Sequence, residues 1–582
     1  AVSDAASLAA SRAVGIDGGD GVDTIVSQAE GEDTISLLAD SNANGVAASF
    51  TVAGSANGAE SGDALSSART DAVSTAAGIA GGEGGDTILS QTGINVTADS
   101  DATAVSANFA VSVSVDGNAS SGSAISDASS LASAQATGID GGADNDTIGN
   151  EDGITGGVTV RADSTATGVS ASFSVAGSAQ GDAASGAALS ETRSDAVAGA
   201  TGIAGGGGDD IIRSASGIDS DAVSTTVAVG VGISAEITKS GDSEGTVTGA
   251  SALSDASSLA VARSTGIDGG DGVDEIVSAA AMGDVIDVYA ESTSTSVAAS
   301  VVVSGRMEGG IAGGGAISEA STTADAQAVG IDSGDGGGSI DNLTAIDAAT
   351  VASSTAIGAG VDVGITGDGN VESAALSNAS SRAAAASTGI AAGDGIDIIT
   401  TSGELSALAG SSATGVAASV TVAGTAAGNV ATQTVSVATV VAESRATGID
   451  GGDGDDTIDN EGGILLMDTV EGADTEADAE AISVAVSLEV SGSMEGDIAG
   501  DALSNASATA SATATGIDGG SGIDDIDNSG RIASDIGAVT TSVAVTIDVG
   551  VTADGYANGA ALSDASAAAI AQANGIDGGD GI

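Results

Sequence analysis

The stretch ALSDASSLAVARSTGIDGGDGVDEI, from Ala252 to Ile276, carries the reading of the whole chain. Its alternate positions Ala252, Ser254, Ala256, Ser258, Ala260, Ala262 and Ser264 are all Ala or Ser, while Leu253, Leu259, Val261 and Arg263 stand between them. A period of two puts successive side chains on opposite faces of an extended strand. An alanine-rich helix capped by Gly266 is the competing reading. Sister segments such as Gln433 to Val441, rich in Thr and Val, argue against it, because β-branched residues favour strands.

The Gly-Ile pair that closes this strand recurs at Gly15, Gly78, Gly138, Gly202, Gly266, Gly330, Gly389, Gly448, Gly516 and Gly575, at intervals of 59 to 68 residues. Nine repeats of ~62 residues and two partial ends therefore cover residues 1–582 as one continuous array, expected to be a piece of a longer chain. After the pair comes a Gly/Asp-rich segment. It runs into phrases such as Thr457-Ile458-Asp459-Asn460-Glu461-Gly462-Gly463-Ile464, an Ile–Asn–Gly–Ile pattern that suits a corner between short strands. A third segment alternates again: Val46, Ala48, Phe50 and Val52 are interleaved with Ala47, Ser49, Thr51 and Ala53. One face is apolar and the other small or polar, so a half-buried strand is expected.

Composition narrows the class. There are 92 Gly, only 1% aromatic residues, and no Pro, Cys, His or Trp. This alphabet cannot build a core of large side chains, so the chain must pack small ones regularly or stay disordered. A formal net charge of −70 favours disorder, yet 42% hydrophobic residues in periodic order oppose it. Eleven Lys and Arg leave no basic patch for nucleic acid or anionic lipid. No apolar run reaches the ~18–20 residues of a membrane span. Without Cys there is no disulfide framework, and without His the commonest general base and zinc ligand are missing.

The expected fold is therefore all-β: tandem repeats stacked as a β-solenoid or β-roll-like rod. A single repeat could not bury its own apolar face, whereas stacked copies pair each strand with its equivalent. Absence of Pro suits continuous ladders. Two arrangements fit equally: one wide turn per repeat, or three rungs of about 20 residues each.

The Gly/Asp segment carries the chemistry. Gly18-Gly19-Asp20-Gly21-Val22-Asp23-Thr24-Ile25 follows the pattern G-G-x-G-x-D-x-U-x, and matches recur at Gly81 to Ile88, Gly205 to Ile212, Gly269 to Ile276, Gly451 to Ile458 and Gly519 to Ile526. In this the sequence resembles the RTX family of secreted bacterial toxins, adhesins and surface-layer proteins. Three copies depart from the pattern: Asp144 replaces the third Gly, Ala392 the first, and Gly338 the Asp. RTX rolls also carry the nonapeptide in direct tandem, whereas here it occurs once per repeat. The resemblance implies calcium (Ca2+) held between successive turns by Gly carbonyls and Asp carboxylates. Carried over by position, these are Asp23, Asp86, Asp146, Asp210, Asp274, Asp397, Asp456 and Asp524, with Asp20, Asp271, Asp394 and Asp453 inside the turns. Gly allows the tight backbone, and calcium takes six to eight oxygens.

The expected function is a structural or adhesive extracellular fibre, an adhesin shaft at the cell surface, stabilised by calcium and partnered by itself through repeat stacking, filament or bundle. Every acidic pair recurs along the chain, so the unique enclosed constellation of an enzyme is missing. Alternatives are a repetitive surface for ice or polysaccharide, which requires a regular exposed Thr ladder, and a surface-layer or matrix filament of a halophile. Asn118, Asn378 and Asn505 lie in N-x-S sequons. Asn378 and Asn505 stand where sister repeats carry Asp255 and Asp564, which reads as drift.

Overall fold

In the computed structural model each repeat is one turn made of a long strand, a glycine turn, a short strand, a corner and a second long strand. The structure describes residues 1–28, 34–150, 157–239, 247–248, 250–281, 283–466 and 477–579. In a central turn the strands are Ser251–Asp271, Asp274–Ser278 and Val285–Arg306. Equivalent strands pair in parallel along the stack, giving, among the described residues, a first long sheet of 11 strands, a second long sheet of 12 and a short sheet of 9. Residue by residue, Ile203 pairs with Ile267 and Ile267 with Ile331, so one repeat is one rung. The three-rung alternative is excluded, because it would pair segments within a repeat. Phe50, Phe109 and Phe173 stack on successive turns with ring centroids 4.9 and 4.6 Å apart, the strand spacing of a parallel sheet.

The alternating Ala/Ser face lies inside. Ser254, Ala256, Ala260 and Ala262 are fully buried, and the facing strand presents Ser292, Ser294, Ser296 and Ala298. Small side chains let the two long sheets approach until hydroxyls cross between them. Ser292 Oγ donates to the Ala260 carbonyl at 2.8 Å, and Ser258 Oγ lies 2.7 Å from Ser294 Oγ and 2.9 Å from Ser296 Oγ. A buried hydroxyl left without a partner costs about 1–3 kcal/mol, so these bonds are what make a Ser-rich interior tolerable. At Gly230 an added Cβ would sit 2.8 Å from Ser254 Oγ and 3.0 Å from the Asp255 carbonyl.

Where the short sheet wedges the long ones apart, the interior widens and Ile fills it. Ile203, Ile267 and Ile331 from the first sheet, Ile212 and Ile276 from the short one, and Ile218 and Ile286 from the second form one continuous buried cluster. The Gly of the Gly-Ile pair is required by this packing, since a Cβ on Gly266 would stand 2.5 Å from the Gly330 carbonyl and 2.5 Å from Ile286 Cγ2. At the corner, Asn460 Nδ2 donates to the Gly462 carbonyl at 3.1 Å and to Asn528 Oδ1 of the next turn at 2.6 Å.

The third segment is half buried, but with the usual pattern reversed. Ser100, Ser106, Asn108 and Ser112 point inward, and Val105, Phe109 and Val111 point outward. Close approach of the sheets favours this: Ala and Ser fill most of the gap, with larger residues such as Val302 and Val440 entering at scattered turns. Exposed Arg residues pair along one strand, as in Arg161–Asp163 at 2.7 Å and Arg193–Asp195 at 2.8 Å, or with the next turn, as in Arg213–Glu275 at 2.6 Å. Among the described residues no helix is long and apolar enough to cross a membrane.

The breadth of a turn and the height of the stack can be compared. Ser251–Asp271, a strand of 21 residues, spans roughly 70 Å, whereas each turn adds about 4.8 Å of height. The turns seen here form a slab wider than it is tall.

Candidate functional site

The glycine turns join the first long sheet to the short one. Their second and fourth positions adopt backbone angles that L side chains avoid, with φ of 95° at Gly270 and 140° at Gly272. Asp144, standing in for the third Gly, is held at φ 73°. This turn aims the sixth residue of the motif into the interior. Asp86, Asp146, Asp210, Asp274, Asp397 and Asp456 are each 1–2% exposed, and Asp23 and Asp524 lie at the partly covered ends of the same column.

Six of the eight carboxylates reach one turn along the stack. Asp274 Oδ1 accepts the backbone N–H of Asp210 at 2.7 Å, Asp210 Oδ1 that of Asp146 at 2.7 Å, and Asp146 Oδ1 that of Asp86 at 2.6 Å. Asp86 serves Asp23 at 2.7 Å, Asp456 serves Asp397 at 2.9 Å, and Asp524 serves Asp456 at 3.1 Å. The second oxygen has no such use. Oδ2 of Asp23, Asp86, Asp146, Asp210, Asp274, Asp456 and Asp524 is buried without a hydrogen-bond partner among the described residues. It lies against the first Gly of its own motif, where a Cβ on Gly269 would stand 2.8 Å from Asp274 Oδ2. Gly338 occupies the turn between Asp274 and Asp397 and interrupts the column.

Burial holds five of these acids above the usual carboxylate range. Desolvation pushes Asp146 and Asp274 to about 6, with column neighbours Asp210 and Asp86 adding to Asp146 and Asp210 to Asp274. Asp397 rises to about 7, first by desolvation and then by Asp456. Asp210 and Asp456 move in the same direction for the same leading reason.

The other four candidates lie elsewhere. Asp20, Asp271, Asp394 and Asp453 face solvent on the outside of the turns. Asp271 bridges to Asp335 and Asp394 to Asp453, so they line up along the stack without joining the inner column. A further column was missed in the sequence although its signal, Asp directly after Gly-Ile, is plain. Asp332 Oδ1 accepts the Gly334 N–H at 3.0 Å, and Asp450 and Asp518 cap their turns alike. Desolvation, then Asp332, lifts Asp268 to about 6.

On donor chemistry the inner column fits a hard divalent cation. Its ligands are all oxygen, and the turns that keep the Asp each leave a buried carboxylate oxygen to spare. Among the described residues no three acidic side chains converge on one point, so backbone carbonyls or water would have to complete any coordination sphere. No protein-family model matches the chain, and searches of curated proteins and of solved structures found nothing similar to it.

Proposed function

We propose that this chain is a structural segment of an extracellular or cell-surface fibre of the adhesin-shaft kind, with calcium bound along the aspartate column. The observation that supports this most is the stack itself: turn is hydrogen-bonded to turn through three parallel sheets that run the length of the described chain. Such a body grows by adding turns and resists bending, which suits a mechanical role better than catalysis in a unique pocket. RTX-like turns support calcium as the ion, since buried acids at rung spacing repel one another until a cation or protons neutralise them.

Thermal melts and electron microscopy of the chain in calcium, in magnesium and in chelator test this reading. We expect calcium to raise the melting temperature by at least about 5 °C, since binding at a hundredfold excess over Kd contributes about 2.7 kcal/mol per site. Coincident melts and unchanged particles in chelator would remove calcium from the proposal.

A second reading, a repetitive binding surface for polysaccharide or ice, gains one observation. Thr295, Thr355 and Thr414 line up on the outer face of the second sheet, as do Thr103 and Thr167. Val227 and Ile482 interrupt that ladder. Retention of the chain on a polysaccharide column or in growing ice would favour it.

A further inference from the structure

Beside that Thr column, the outer face of the second long sheet carries a field without polar side chains. In one turn its residues are Val229, Val231, Ile233, Ala235 and Ile237. Following the register through nine turns, all equivalents of these five positions are Val, Ile, Leu, Phe, Ala or Gly. In a chain of net charge −70, that is a sharply bounded neutral field. Acids stand beyond the Thr column, with Asp40, Asp99 and Asp163 in register. The first long sheet lacks such a field: its outer face mixes Leu253 and Leu259 with Asp255 and Arg263.

Size makes the face unusual. Five alternating positions span roughly 30 Å along the strand and nine turns roughly 40 Å across it, so the flat area is about 1,200 Å². Soluble monomers rarely expose apolar patches beyond a few hundred Å². Covered by an equal surface, it would bury about 2,400 Å² in total, more than the ~1,600 Å² of a standard stable interface.

We propose that this face pairs with the same face of a second copy of the chain, back to back. Commensurability selects that occupant. The face is corrugated, with a column that is Ala in six of its nine turns (Ala48, Ala107, Ala171, Ala299, Ala359, Ala418) and Val in the other three, between a ridge of Val and Ile and a ridge headed by Phe50, Phe109 and Phe173. A partner that covers the whole field must match its extent, its ~4.8 Å rise and the spacing of its ridges together, and a second copy does. Isologous contact also leaves the carboxylates at the periphery, where salt screens their repulsion. The pairing concerns a surface that the stacking of turns does not use, so its failure would leave the fibre reading untouched.

Sedimentation velocity of the 582-residue chain at low and high salt tests the pairing. The expected mass is that of two copies, with tighter association at high salt. Val231→Glu with Val361→Lys places charges in the field and should weaken association at least tenfold with an unchanged circular dichroism spectrum. Leu131→Glu with Leu259→Lys, on the outer face of the first sheet, should leave it intact. Should the charged chain misfold, Val231→Thr, Val301→Thr and Val361→Thr keep β-branching and should weaken association in the same direction. A single-copy mass at every concentration and salt would overturn the proposal. So would pairing that survives the second-sheet variants, pairing lost equally in the first-sheet control, or a single copy that binds ice or polysaccharide through this face.

Discussion

Glycine does two jobs in this chain, and substitution separates them. At Gly266 the missing side chain makes room for the carbonyl of the next turn and for Ile286. Gly266→Ala should therefore cost about 1–3 kcal/mol by forcing the ladder or the Ile cluster to shift. Gly199, outward on a first-sheet strand, would place a Cβ with nothing within 4 Å. Gly199→Ala should be neutral or stabilising by roughly 0.5 kcal/mol, through the loss of unfolded-state freedom. Denaturant unfolding of the two variants checks the contrast. Equal effects would mean that the Gly-Ile pair is a turn preference and not a packing requirement.

The aspartate column acts as an element, because six of its eight carboxylates are held by the backbone of the adjoining turn. Its acids bind protons more tightly folded than unfolded: Asp146 and Asp274 titrate at about 6 and Asp397 at about 7, against 3.8 for a free Asp. Their contribution to stability is therefore fully present below about pH 4 and is lost as pH rises through about 6 to 7. In chelator the melting temperature should rise on acidification from pH 8 to pH 5. Asp274→Asn, which keeps an acceptor for the Asp210 N–H and removes one charge, should flatten part of that slope. A melting temperature that falls over the same interval would show that the folded column already has its countercharge. Glu236, near the end of a second-sheet strand and driven up to about 8 by burial, acts in the same direction.

The whole molecule uses ~62 residues per turn to gain about 4.8 Å of height, so it builds breadth far faster than length. Each turn presents flat, register-matched faces roughly 70 Å across, and those faces are where function is to be sought. Because each turn contacts only its neighbours, removal of a whole turn should be tolerated. Deletion of residues 267–330 joins Gly266 to Ile331 in phase. It should keep the circular dichroism spectrum and shift the melting temperature by only a few degrees. Deletion of residues 267–298 cuts a turn in half and should abolish cooperative unfolding. Similar melts for both deletions would refute turn-by-turn stacking.

Much of this was legible in the residues alone. Period-two alternation around Ala252 to Ser264 determined extended strands, the Gly-Ile pairs determined the repeat, and the Gly/Asp motif determined where acids gather, because each is a local property of the backbone. Register was not local. Whether Ile267 meets Ile331 or a residue of its own repeat depends on how far the chain travels before it returns, and only the closed turn decided that. The direction of the third segment was likewise a tertiary matter. Its Val face reads as core in isolation, yet the gap between the long sheets is set mainly by Ala and Ser on both sides, too narrow for whole columns of Val, and so the apolar ridges face outward while single residues such as Val302 stay inside.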